Sequence, residues 1–230
     1  MPREAFDKQL QLLQDEVLVM GSMVEKAIVE SVDLLKKQDL DGARSLIKSD
    51  EAINRKRFSI EENALVQIAT QQPMAVDLRL LASVLDITGE LERIGDYAKG
   101  IARVTLMIGK EPLVKPLIDL PRMAEKASDM LHRSLDAFVR RDADLARKIP
   151  QEDSEVDALY NQVYRELLML ILADPRRTDQ ATYLLWVGHN LERTADRVTN
   201  ICERVIFTVT GEMVELDQEG FEAGGVESLG

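Results

Sequence analysis

The chain has 230 residues, with 41 acidic against 29 basic side chains and a formal charge of −12. A general nucleic-acid binder needs a basic footprint, so that class is excluded. Hydrophobic residues make up 45 % and aromatics only 4 %, a balance that favours helices around a real core over sheets. The single cysteine, Cys202, permits no internal disulfide, and no run approaches the roughly 20 apolar residues of a membrane span. The first residues, Met1-Pro2-Arg3-Glu4, enter a charged amphipathic stretch rather than an apolar signal core, so a cytoplasmic protein is expected.

In chain order, the 3.6-residue periodicity and its punctuation predict six helices, at roughly 4–37, 40–70, 75–109, 117–140, 142–172 and 178–210. Asp39 and Asp41 mark the first boundary, and Asp142 and Asp144 mark the matching one later. Pro73 and Pro175 bracket the helices on either side of them, and Pro150 predicts a kink or a late start inside the fifth. Asp77 falls in a first helical turn, where capping is its expected role. Pro112, Pro116 and Pro121 make Gly109–Pro121 a linker. Met20, Met23, Met107, Met123, Met130 and Met169 read as core packing, and Arg140, Arg141, Arg176 and Arg177 as solvated. Residues 212–230 lose the periodicity, and their acidic, glycine-rich composition predicts a mobile tail.

Helices three and six repeat one another at an offset of 100 residues. Leu91-Glu92-Arg93-Ile94-Gly95-Asp96 matches Leu191-Glu192-Arg193-Thr194-Ala195-Asp196. The apolar seam Val84, Ile87, Leu91, Ile94, Ala98, Ile101, Thr105 matches Leu184, Val187, Leu191, Thr194, Val198, Ile201, Val205. Steps of three and four are the spacing of a helix packed along a bundle. Helices two and five match at an offset of 103, where Asp50, Ile53 and Asn54 fall on Asp153, Val156 and Asp157. The fold class is therefore all-α: two tandem three-helix bundles of six long antiparallel helices, related by duplication. Residues 1–111 form the first bundle and 112–211 the second.

The duplicated chemistry is acidic. Glu92 and Asp96 lie one turn apart on one helix face, as do Glu192 and Asp196. Their phase relative to the seam predicts that both pairs point outward. If helices two and three are neighbours, and five and six likewise, Asp50 and Asn54 or Asp153 and Asp157 supply further oxygen ligands. Such a set suits a hard or borderline cation such as Mg, Mn, Fe or Zn. Asn200, Glu203 and His189 are additional candidates in the second copy, and Asp157 in place of Asn54 makes that copy the better furnished. The alternative is solvated surface charge, with Lys99 or Arg103 neutralising Asp96. Neither His132 nor His189 follows a glutamate by three residues, as a di-iron carboxylate oxidase would require, and no nucleophile–base pair or phosphate loop stands out. The chain reads as a non-enzyme, with a di-metal carboxylate enzyme and a metal-free helical scaffold as the alternatives.

These motifs resemble the twin signatures of the PhoU family, accessory regulators of phosphate-specific transport. Gln72-Pro73 with Asp77-Leu78-Arg79-Leu80, Asn200-Ile201-Cys202-Glu203 and the Phe6–Val32 stretch with Met20-Gly21-x-Met23-Val24-Glu25 are similar too. The resemblance runs from about residue 5 to 212. It implies surface metal clusters on Glu92, Asp96, Glu192 and Asp196, partnered by Asp50, Asn54, Asp153 and Asp157. It also implies negative regulation of the phosphate-starvation response through the transporter ATPase subunit, PstB, and the sensor kinase, PhoR. Membrane association would be peripheral, through those partners, and a homodimer is compatible with the family. Thr194-Ala195 departs from the family's usual Ile-Gly.

Overall fold

Residues 2–216 are described by a computed structural model, and every regular element among them is helical. The helices are α1 (Pro2–Lys37), α2 (Leu40–Gln71), α3 (Ala75–Ile108), α4 (Asp119–Arg140), α5 (Ala143–Lys148), α6 (Asp153–Ala173) and α7 (Thr178–Thr210). Their ends follow local chemistry. The Asp39 carboxylate accepts from the N–H groups of Asp41 and Gly42 to cap α2, and Asp142 accepts from Leu145 to cap α5. Each such cap contributes about 1 kcal/mol. Gly211 closes α7 in the left-handed conformation, at φ 83°, which costs glycine nothing.

The helix expected over 142–172 is divided. Pro150 cannot donate a backbone hydrogen bond, and Ile149–Glu152 adopts a 3-10 turn between α5 and α6. A second 3-10 turn, Pro175–Arg177, precedes α7. Asp77 is not a simple cap: it is buried and accepts from Arg3 at 2.6 Å. Met20, Met123 and Met130 are buried, but Met107 and Met169 lie exposed, because their helices turn those positions to solvent. Of the predicted tail, 217–230 lies outside the described residues. Before it, Val214 and Leu216 pack back on the core, and the Leu216 N–H donates to Glu203 Oε1 at 2.9 Å.

In the first repeat α1, α2 and α3 pack on one another; in the second, α4, α6 and α7 do so. The repeats then join through α3 against α7 and α1 against α4. Every residue of both predicted seams is buried. One continuous hydrophobic cluster includes residues of α1, α2, α3, α4, α6 and α7. Helices α3 and α7 run antiparallel, since Ser83 meets Thr208 at 2.7 Å while Glu90 accepts from Asn200 at 3.3 Å. At Gly21, where α1 meets α4, the Leu135 methyl occupies the space of a Cβ, which would fall 2.1 Å from its Cδ1.

No helix among the described residues is long and apolar enough to cross a membrane. Because one core serves both repeats, unfolding is expected to be a single cooperative transition. Leu91→Ala, at a fully buried position, should cost about 2–5 kcal/mol. Denaturant melts followed by circular dichroism and by Trp186 fluorescence should coincide in both proteins.

Candidate functional site

In the first repeat, α2 lies along α3 because small Gly95 lets Ile53 approach; a Cβ there would stand 3.3 Å from Ile53 Cδ1 and 3.9 Å from Asp50 Oδ1. Asp50 is thereby buried, at 5 % exposure. The Lys99 ammonium reaches across from α3 to Asp50 Oδ2 at 2.6 Å and to Asp96 Oδ1 at 3.3 Å. These contacts, the Asp50 hydrogen bond foremost, raise the Lys99 pKa and hold it charged. Asn54 Nδ2 donates to the same Asp50 oxygen at 3.3 Å. The Arg57 guanidinium lies 3.3 Å from Glu92 Oε2 and donates to Glu61 at 2.6 Å. The three carboxylates Asp50, Glu92 and Asp96 are thus served by protein cations.

This corrects the outward placement predicted for the acidic pairs. Only Asp96 is largely exposed; the Glu92 side chain keeps 22 % of its surface and Glu192 keeps 23 %. The seam phase refers to one packing face of α3, while the flanking helix α2 covers an adjacent one. Helix α6 does the same for α7.

The second repeat has the same frame and a different charge balance. Glu192 Oε2 is buried and accepts no hydrogen bond, with His189 Nδ1 3.2 Å away outside hydrogen-bond geometry. Burial raises the Glu192 carboxyl above its ordinary range; the charges of Asp196 and Asp157 add to this, and His189 and Arg193 oppose it. Arg193 lies 3.3 Å from Asp196. Tyr160 packs on α7 where Gly188 leaves room, at 3.1 Å from a Cβ built there. Thr199 is fully buried and its Oγ1 has no hydrogen-bond partner.

The other second-repeat candidates lie elsewhere. Asn200 donates to Glu90 on α3, and Glu203 accepts from Leu216, so both face the junction of the repeats rather than Glu192. Among the described residues, no three His, Cys, Asp or Glu side chains converge on one ion position. The first-repeat residues do not fit a bound metal in this arrangement, because Lys99 and Arg57 stand where its charge would act. In the second repeat the charges of Asp196 and Asp157 act on a buried Glu192 oxygen that accepts no hydrogen bond, but among the described residues no third ligand converges with it on one position.

Arg57 and Tyr160 were not legible as site residues from motif spacing. The offset of 103 pairs them, but only the packing shows that they border Glu92 and Glu192. The polar contacts Glu90–Arg197 at 3.4 Å and Tyr97–Arg197 at 3.4 Å likewise require knowledge of how the repeats meet.

The PhoU domain model matches residues 17–105 and again 120–205. The chain belongs to the PhoU family. Among its relatives, a "phosphate-specific transport system accessory protein PhoU homolog" of Clostridium acetobutylicum is 38 % identical, over 94 % of this chain and 100 % of that protein. The "phosphate-specific transport system accessory protein PhoU" of Escherichia coli K12 is 34 % identical, over 90 % of this chain and 86 % of its own. The crystal structure of the phosphate transport system regulatory protein PhoU from Streptococcus pneumoniae matches with a TM-score of 0.85 at 31 % identity, covering 92 % of this chain and 100 % of that one. PhoU from Pseudomonas aeruginosa also gives 0.85, at 34 % identity, over 90 % of this chain and 100 % of its own. Relatives of this PhoU-family chain are therefore named as accessory to phosphate transport.

The start of α6, beside the second acidic set, is fixed by Glu152. Arg133 donates to it at 2.8 and 2.7 Å, and Lys126 lies 2.7 Å away. The Arg133 hydrogen bond, aided by Lys126, lowers the Glu152 carboxyl to about 2. A depressed carboxyl contributes stability above its unfolded value near 4.5 and loses it as pH falls toward about 2. Glu152→Gln should therefore flatten the fall in melting temperature between pH 5 and pH 2, and should lower that temperature at pH 7. Thermal melts across this range decide it; an unchanged acid profile would remove Glu152 from the account.

Proposed function

We propose that the chain is a non-enzymatic regulator of phosphate uptake and of phosphate-starvation signalling. It acts in the cytoplasm by docking to the phosphate transporter's ATPase subunit (PstB-like) and to a sensor histidine kinase (PhoR-like), and it holds the response off when phosphate is ample. The observation that carries this reading is the twofold match to the PhoU domain, together with full-length coverage of a relative named as a transport accessory. A frame of stacked helices with one shared core suits docking, since it presents long rigid faces.

The reading includes a metal ion in the second repeat. Glu192, Asp196, Asp157 and Asp153 would hold it, with His189 on the rim. A bound cation would supply charge neutralisation between α6 and α7. The chain's own residues do the rest: Tyr160 and Gly188 set the spacing of the two helices, and Arg133 with Lys126 anchors the α6 start through Glu152.

Tagged protein expressed from its own locus at high phosphate should copurify with the transporter ATPase and with the sensor kinase. Deleting the gene should raise a phosphate-starvation reporter in phosphate-rich medium. Recovery of neither partner, with the reporter unchanged, would overturn the docking reading.

A further inference from the structure

We infer that the outer face of α6 and α7 is a docking surface for an amphipathic helix of a basic partner protein. This rests on the docking reading above and adds to it the face that is used and the chemistry that it accepts.

Tyr160 of α6 packs beside Gly188 and lies 6.3 Å, centroid to centroid, from the His189 ring of α7. Farther along α6, Val163 and Leu167 border one cavity with Leu184, so the two helices run antiparallel. One turn beyond Tyr160 is Tyr164, and one turn before His189 is Trp186; the register makes them the next rung. Tyr164, Leu168 and Leu172 carry the stripe to the end of α6 at steps of four, with Met169 beside them. The stripe is open to solvent: Trp186 is 47 % exposed, Tyr164 46 %, Met169 66 % and Leu172 70 %. Contiguous exposed apolar side chains of this size mark an interaction surface, and tryptophan and tyrosine are its usual anchors.

The fold alone does not ask for this surface. At the matched positions the first repeat has Glu61 for Tyr164, Ala69 for Leu172 and Asp86 for Trp186. There Glu61 accepts from Arg57 at 2.6 Å, and Asp86 lies 3.5 Å from Arg204. The counterparts of those arginines are Tyr160 and Val104. Two ion pairs of the first repeat are therefore apolar pairs in the second, on the same helical frame. Leu65 and Val66 match Leu168 and Met169 and are exposed too, but Glu61 and Glu62 separate them from Phe58.

The acidic end of the face selects its occupant. Burial raises the Tyr160 hydroxyl pKa, and Glu192 and Tyr164 both add to it, so Tyr160 joins the stripe to the acidic set. The charges of Asp196 and Asp157 act in turn on Glu192. A second copy of the chain would bring the same carboxylates and a charge of −12 to meet its own. An anionic membrane surface would be repelled likewise. A helix with one apolar stripe and lysine or arginine beside it matches both ends of the face. Its stripe lies along Trp186, Tyr164, Leu168 and Leu172, and its cations reach the carboxylates toward the start of α6.

The test uses the full-length chain and its single tryptophan, Trp186. A synthetic amphipathic helix of leucine and lysine should move the Trp186 emission to shorter wavelength, with an affinity that falls as salt is raised. The same helix with glutamate for lysine, and vesicles of anionic lipid, should leave the emission unchanged. Leu172→Asp should weaken binding by about tenfold or more, and Leu65→Asp in the first repeat should not. In cells, Tyr164→Glu/Trp186→Asp, which installs the first repeat's residues, should lose the transporter ATPase or the sensor kinase that wild type recovers, with its helical circular dichroism intact. If that variant does not fold, Leu172→Asp decides. Equal binding of the glutamate helix, binding of the vesicles, or a dimer in sedimentation that Leu172→Asp dissociates overturns the choice of partner. A folded Tyr164→Glu/Trp186→Asp protein that keeps both partners overturns the face. Wild type that recovers neither partner overturns the docking reading instead, and the peptide titration still decides whether this face takes a basic helix.

Discussion

Helix α3 packed antiparallel on α7 is the contact on which the rest of this molecule depends. A three-helix unit buries only one side of its last helix, and α3 is buried on more than that, since Ser83 is fully buried against α7. The second copy supplies the missing cover, and on α7 Thr208 is buried against Ser83 in return, while Gly100 of α3 lies against Asn190. Small side chains allow helix axes to approach and let buried hydroxyls find partners, as Ser83 and Thr208 do. The pairings 83 with 208, 90 with 200 and 100 beside 190 place the crossing near Gly95 and Ala195. Both acidic motifs therefore lie at the middle of the shared seam, each turned toward its own flanking helix.

That position explains why the carboxylates are neither solvated charge nor core. A purely exposed Glu/Asp pair on a helix is mildly unfavourable and consequential for little. Once α2 or α6 closes over it, each carboxylate loses water and must find a donor, a cation or a proton. The first repeat resolves this with Lys99 and Arg57. The second leaves Glu192 with a raised carboxyl and an oxygen without a donor. Electrostatic demand, rather than motif count, is what separates the copies.

Much of the fold was legible because helical periodicity is a local property. The seams Val84–Thr105 and Leu184–Val205 report burial directly, and Asp39, Asp142 and Gly211 mark ends through backbone chemistry that acts within a few residues. The carboxylates were legible for the same reason: spacing on one helix needs no tertiary knowledge. What sits opposite them was not. Lys99 was visible as a neighbour of Asp96 but not of Asp50, 49 residues away, and Arg57 reaches Glu92 on another helix. Asn200 and Glu203 share a stripe with Glu192 by phase, yet the approach of α3 and the returning tail claim them for other contacts.

The break at Pro150 changes the setting of the aspartate that the two repeats share. In the first repeat the matching aspartate, Asp50, lies mid-helix in α2, where its charge gains nothing from the helix dipole and burial leaves it dependent on Lys99. In the second, the 3-10 turn forced by Pro150 makes Asp153 the first residue of α6. There the positive end of the dipole favours a carboxylate, while the Asp153 N–H itself bonds to the Pro150 carbonyl. A helix terminus supplies part of what the ammonium supplies in the other copy. Position 199 carries a neutral threonine, and Glu192 Oε2 lies buried without a hydrogen bond. The charge balance around each acidic pair is therefore set by helix ends and flanking helices, and not by the repeated motif itself.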